Sequence, residues 1–173
     1  MKIALAATAF FLMLLFSTGS LAQKGQYSGP EFKKLINTDF TDEKDIPGLR
    51  GYQLHESTLL NRLDDPERLF LSVYTKGTGR IMLFTVLTDT VKYVFKIADV
   101  LELKNVKAGL EFKSVTCRQN KKENAEIVAL VNPVEKKYFT DVKKAWICDR
   151  NKRRFRAIPV KGVDCLNEGY EQY

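Results

Sequence analysis

From Leu69 to Ala98 the chain alternates, and that period of two limits its fold more than any other feature. Leu69 to Tyr74 is rich in strand formers, Gly77 and Gly79 stand where a turn is needed, and Ile81 to Thr88 resumes the pattern. Ile81 to Leu87 is apolar at every position but Thr85, as a strand covered on both faces would be. After a break at Asp89-Thr90, Val91, Tyr93, Phe95 and Ile97 alternate with Lys92, Val94, Lys96 and Ala98. The spacing predicts three consecutive antiparallel strands.

Five further strands are expected, at Val100 to Leu103, Leu110 to Thr116, Ile127 to Val131, Val142 to Cys148 and Phe155 to Val160. The last two flank Asp149 to Arg154, which reads as a hairpin loop. Helical signals are few. Gly29-Pro30-Glu31 opens a short helix through Phe32, Leu35 and Ile36, with Pro30 in the first turn and Glu31 near the positive end of the helix dipole. Ser57 to Leu63 is a second candidate, since Leu59, Leu60 and Leu63 share a helical face and Pro66 would stop it. The fold class expected is β-rich, all-β or α+β, a single domain built on antiparallel sheet with one or two short N-terminal helices.

The first 22 residues read as a secretory leader. Lys2 starts it, Ile3 to Phe16 is apolar or small, and Ser20 and Ala22 fit a small-x-small cleavage site that makes Gln23 the first mature residue. An apolar run of about 14 residues is short of the roughly 20 that span a bilayer, and no cysteine follows it for lipid attachment. The expected organisation is therefore a signal peptide over 1–22, a partly extended N-terminal segment over 23–48 and one β-rich domain over 49–173. Asp39, Asp42, Glu43, Asp45 and Pro47-Gly48 mark the end of that segment as an exposed connection. Export, periplasmic or secreted, follows from the leader, and no membrane span is expected in the mature chain.

Loss of Lys2 lowers the net charge of +7 by one, to about +6 over about 151 residues, a length suited to a single core. Three cysteines in an exported chain allow one intramolecular bridge and leave one thiol over. Cys117 at a strand end and Cys165 in a C-terminal segment that would otherwise fray form the favoured pair. Cys148 with Cys165, or no bridge, remain the alternatives, and Cys148 sits where a small buried thiol packs well.

Catalytic and metal motifs are scarce. His55 is the only histidine, which removes two-histidine acid/base chemistry, and His55-Glu56 lacks the second histidine of a helical zinc motif. The cysteines lack the close pairing of a structural zinc site, and the acidic run at 39–45 lacks the glycine and terminal glutamate of a calcium loop. Asp64-Asp65 before Pro66 is ordinary turn chemistry, and Lys76 to Arg80 has neither the length nor the order of a phosphate loop. No cofactor is expected.

The most substantial surface feature is Arg150 to Arg156. Lys152, Arg153, Arg154 and Arg156 form a candidate anion-binding set, because arginines bind phosphate and carboxylate in bidentate fashion. A charged hairpin tip that discourages edge pairing is the competing reading, and Arg118 to Lys122 is a weaker second patch. Outside the cytoplasm the anionic partner would be an envelope lipid, a glycan or another exported protein; nucleic acid is not expected. The function expected is a small exported non-enzymatic binding domain. A small envelope enzyme using a carboxylate or a free thiol is the alternative.

Overall fold

The computed structural model describes residues 29–61 and 65–170. The leader and its cleavage point at Ala22 lie outside the described residues, as do Asp64 and Leu63. In chain order the elements are α1 (Pro30–Lys33), β1 (Asp39–Phe40), a 3-10 turn (Glu43–Asp45), β2 (Gln53–Leu59), β3 (Arg68–Lys76), β4 (Gly79–Asp89) and β5 (Val94–Leu103). Then follow β6 (Glu111–Lys113), β7 (Cys117–Gln119), β8 (Lys122–Glu123), β9 (Ile127–Val131), β10 (Tyr138–Phe139), β11 (Val142–Asp149), β12 (Arg154–Ile158) and β13 (Val163–Leu166).

These strands build three antiparallel sheets: a large one ordered β1-β5-β4-β3-β2, a middle one ordered β12-β11-β9-β6 and a small one ordered β10-β13-β7-β8. The meander expected over 69–98 is the β3-β4-β5 centre of the large sheet, with a two-residue turn at Gly77-Thr78 in which Gly77 holds φ +55°.

Alternation then sets the layers. Leu69, Leu71 and Val73 face the middle sheet and share a core with Val128, Trp146 and Phe155. On the middle sheet's other face, Ile127, Ala129 and Ala145 pack against Phe139, Val163 and the cysteines of the small sheet. The outer face of the large sheet, with Ile81, Leu83 and Ile97, is covered by Phe32, Leu35, Ile46 and Leu49. Within the stretch expected as a partly extended segment, residues from 29 onward thus supply apolar side chains to a core. β4 and β9 read as continuous apolar runs because each is covered on both faces.

Cys117 and Cys165 stand directly opposite each other in the β7–β13 register and are joined by a disulfide, while Cys148 is free and buried. One helix expectation and several strand boundaries need correction. Ser57 to Leu59 is not helical: it ends β2, where Ser57, Thr58 and Leu59 pair with Ser72, Leu71 and Phe70. Three leucines in a short window fit either period, and the ladder to β3 decides between them. The second helical turn lies instead at Glu43–Asp45, opened by Asp42, whose Oδ1 accepts from Lys44 N at 2.9 Å.

β5 begins at Val94 rather than Val91, because Asp89 Oδ1 accepts from both Val91 N and Lys92 N and bends the chain into an exposed tip. It then runs unbroken to Leu103, joining two runs expected as separate strands. Asp99 does not break it, since the carboxylate accepts from Val100 N and, across the layers, from Phe155 N at 2.7 Å. Finally, the strand expected to Thr116 stops at Lys113. Val115 adopts φ +51° in a tight turn closed by Thr116 N donating to Ser114 O.

Candidate functional site

The basic hairpin forms as expected, with β11 and β12 joined by a turn at residues 150–153. Its alternation buries Phe155 and Ile158 and exposes Arg154 and Arg156 on one face. The tertiary structure, however, brings carboxylates to much of the cluster. Arg153 Nη2 pairs with Glu67, and Arg150 pairs with Glu126 and, at 3.8 Å, with Asp65. Arg154 stands opposite Asp149 in the register and acts electrostatically on Asp99. The pairs with Glu67 and Asp65 tie the hairpin to the β2–β3 connection of the large sheet, and each contributes only about 0–1 kcal/mol. Lys152 and Arg156 have no acidic side-chain partner among the described residues.

The second basic patch divides in the same way. Arg118 pairs with Asp164, directly across the β7–β13 ladder, and lies 3.6 Å over the Tyr138 ring. The Asp164 carboxylate raises the Arg118 pKa. The hydrogen bond from Asn120 N to Gly162 O at 2.7 Å continues the β7–β13 pairing past Gln119 and Val163, and Lys122 lies beyond it on β8.

Asp65 is the described member of the carboxylate pair before Pro66, and it serves Arg150. His55 is exposed on β2, where the register shifts between Leu54 and Glu56. Cys148 is buried, and desolvation, with Glu126 and Asp99 adding to it, pushes its pKa far above the usual thiol range. A thiol in such surroundings is inert as a nucleophile. Among the described residues no group of three or more His, Cys, Asp or Glu side chains is placed to hold a metal ion, and no helix is long and apolar enough to cross a membrane.

A different place gathers more chemistry. The 3-10 turn at Glu43–Asp45 lies against the outer face of the large sheet with a cleft on each side, and Glu43 and Lys44 line both. The first cleft, about 770 Å³, runs between residues 43–52 and the side chains of Leu54 and Tyr74. The second, about 440 Å³, has Ser57, Ser72 and Thr85 among Phe40, Phe70 and Phe95. Phe40 stacks on Phe95 at 5.5 Å, Phe70 meets Phe95 edge-on at 5.5 Å, and Ser57 Oγ lies 3.0 Å from Ser72 Oγ. Both volumes fall in the range of small-molecule sites.

Tyr74 gives the first cleft its polarity. The residue is 4% exposed, and its hydroxyl is buried beside Glu43 and Ser72. Burial raises its pKa, and the nearby Glu43 carboxylate raises it further. Glu43 and Ser72 stand within side-chain hydrogen-bonding reach of the phenol. Sequence reasoning passed over Tyr74 as a strand residue. The available signal was that β3 alternates Leu69, Leu71 and Val73 with Phe70, Ser72 and Tyr74, so one face carries polar atoms into a covered layer.

No protein-family model, curated protein or solved structure matches this chain. Its function is therefore argued from its own side chains.

Proposed function

We propose that this protein is an exported, non-enzymatic binding domain that takes a ligand in the cleft between the 3-10 turn and Tyr74. The observation that carries this reading is the cleft itself, about 770 Å³, with Glu43 and the buried Tyr74 on its wall. If the hydroxyl serves a ligand rather than the fold, Tyr74→Phe keeps or raises the stability of the free protein in a urea titration, by up to about 1–3 kcal/mol. A loss of more than about 1 kcal/mol would show that the hydroxyl holds the fold together, and the reading would fail.

A second contact is proposed from Lys152 and Arg156, which lack acidic side-chain partners among the described residues, with Arg154 exposed beside them. These three cations are suited to an anionic envelope lipid or an acidic glycan. Replacing Lys152, Arg154 and Arg156 with Gln should lower the salt concentration at which the protein leaves an immobilised sulfated glycan. Unchanged elution would remove this contact and leave the cleft reading intact.

A further inference from the structure

We infer that the second cleft, on the other side of the 3-10 turn, binds a small aromatic amine, its ring among Phe40, Phe70 and Phe95 and its ammonium at Asp42 and Glu43. The inference goes beyond the cleft reading above and does not use Tyr74. The two sites share only Glu43 and Lys44.

Three features of the lining select that chemistry. The first is a set of rings on a floor to which every strand of the large sheet contributes. Phe40 on β1 stands opposite Phe95 on β5, Thr85 on β4 opposite Phe70 on β3, and Ser72 on β3 opposite Ser57 on β2. Residues 41–44 supply the rest of the lining. The three phenylalanines are half-buried and already pair as a stack and an edge-on contact, each at 5.5 Å between centroids. A further aromatic ring extends that cluster in the same geometries and gains more than its area alone would give.

The second feature is the hydroxyls beneath the rings. Ser72 and Thr85 are 5% and 2% exposed, and Ser57 Oγ lies 3.0 Å from Ser72 Oγ. A wholly hydrocarbon ligand would displace water from this polar surface and replace none of its hydrogen bonds. An ammonium group has three donors and no acceptor, and hydroxyl oxygens can accept from it. The third feature is charge. Asp42 and Glu43 stand against Lys44 alone, two carboxylates to one ammonium, and Asp42 is anchored by accepting from Lys44 N at 2.9 Å. At contact distance these groups repel an anion, although the chain as a whole is basic. A cation beside phenylalanine faces gains the further attraction of the ring quadrupole.

The test titrates the mature, isotope-labelled chain with 2-phenylethylamine. Three comparators each change one property: 3-phenylpropionate reverses the charge, 2-phenylethanol removes it, and 2-cyclohexylethylamine removes the aromatic ring. The expected result is a saturable shift of the Phe40, Phe70, Phe95 and Ser57 amide resonances. The aromatic amine should bind about fivefold tighter than the alcohol and about tenfold tighter than the carboxylate. Asp42→Asn keeps an oxygen acceptor for Lys44 N, so the turn stays capped, and it should weaken the amine about threefold while leaving the alcohol unchanged. Phe70→Leu should weaken the aromatic amine about fivefold and the cyclohexyl amine much less.

Equal or tighter binding of the carboxylate or the alcohol overturns the inference, as does amine binding that Asp42→Asn leaves unchanged. Equal or tighter binding of the cyclohexyl amine also overturns it, because the rings would then select nothing aromatic. No saturable shift at these residues up to about 10 mM, beyond the millimolar range of weak ligands, removes the site itself. Shifts confined to Arg50, Tyr52 and Leu54 remove it too while supporting the first cleft, so the two readings fail separately.

Discussion

Removing the cross-strand disulfide should cost this protein about half of an ordinary domain's stability. Cys117 and Cys165 are 48 residues apart in sequence, and both are buried, at 1% and 0% exposed. The loop they close contains β8 to β12, and with β9 and β11 it includes the two inner strands of the middle sheet. In the chain-entropy description, freeing a loop of that length in the unfolded state costs about 4 kcal/mol at 25 °C. For Cys117→Ala/Cys165→Ala, with a urea slope of about 2 kcal/mol/M, the midpoint should fall by about 2 M. The slope itself should rise, because the uncrosslinked chain exposes more surface on unfolding.

Reduction of the native protein provides a second reading that does not require the variant to fold. Burial shields both sulfurs, and Cys148 is held protonated by its own burial, so a thiol reagent reaches the bridge only through unfolding. Reduction should therefore follow the global unfolding rate and accelerate with urea. A stability loss under about 1 kcal/mol, or fast reduction without urea, would refute the reasoning.

Three other perturbations check other parts of the structure. Asp99 has a raised pKa, chiefly from burial and despite accepting from Phe155 N and Val100 N. Its contribution to stability is therefore fully present below the unfolded carboxylate value near 3.9 and is lost as pH rises through the folded value. Asp99→Asn should accordingly gain on wild type as pH rises above about 4 in paired urea titrations, and a gain in the opposite direction would show the carboxylate is stabilised in the fold. Gly162 holds φ +77°, and a Cβ there would lie 2.2 Å from Asn120 Oδ1, so Gly162→Ala should lower stability by about 1–2 kcal/mol or more. In Asn120→Gly the same change should cost less, and equal costs would place the penalty in the backbone alone. Val115 is a β-branched residue at φ +51°, exposed and so unsupported by packing. Val115→Gly should leave stability unchanged or raise it by up to about 1 kcal/mol, whereas a clear loss by thermal unfolding would show that its side chain does pack.

Much of the frame was legible because the long strands carry their pattern in consecutive residues. Ile127 to Val131 is the strand the apolar run predicts, and the turn at Gly77-Thr78 sits where glycine was available for positive φ. The two- to four-residue strands β7, β8, β10 and β13 are too short to show a period, and they exist because neighbours offer them hydrogen bonds. Ser57 to Leu63 failed for a related reason: a window of seven residues cannot distinguish a helical face from a strand that ends beside β3.

The sites divide along the same line. Lys152, Arg153, Arg154 and Arg156 were visible as a charged run, since charge is a property of composition and neighbourhood in sequence. Their partners were not, because Glu126 reaches Arg150 across 24 residues and Glu67 reaches Arg153 across 86. Tyr74 is the stronger example. The sequence by itself determined that Tyr74 lies on a strand and that a β-rich domain surrounds it, because alternation is encoded residue by residue. Only the tertiary structure decided that residues 43–52 cover that strand's outer face, leaving the phenol buried beside Glu43 and Ser72. Whether a hydroxyl finds a partner depends on atoms far apart in the chain, and local pattern holds no record of them.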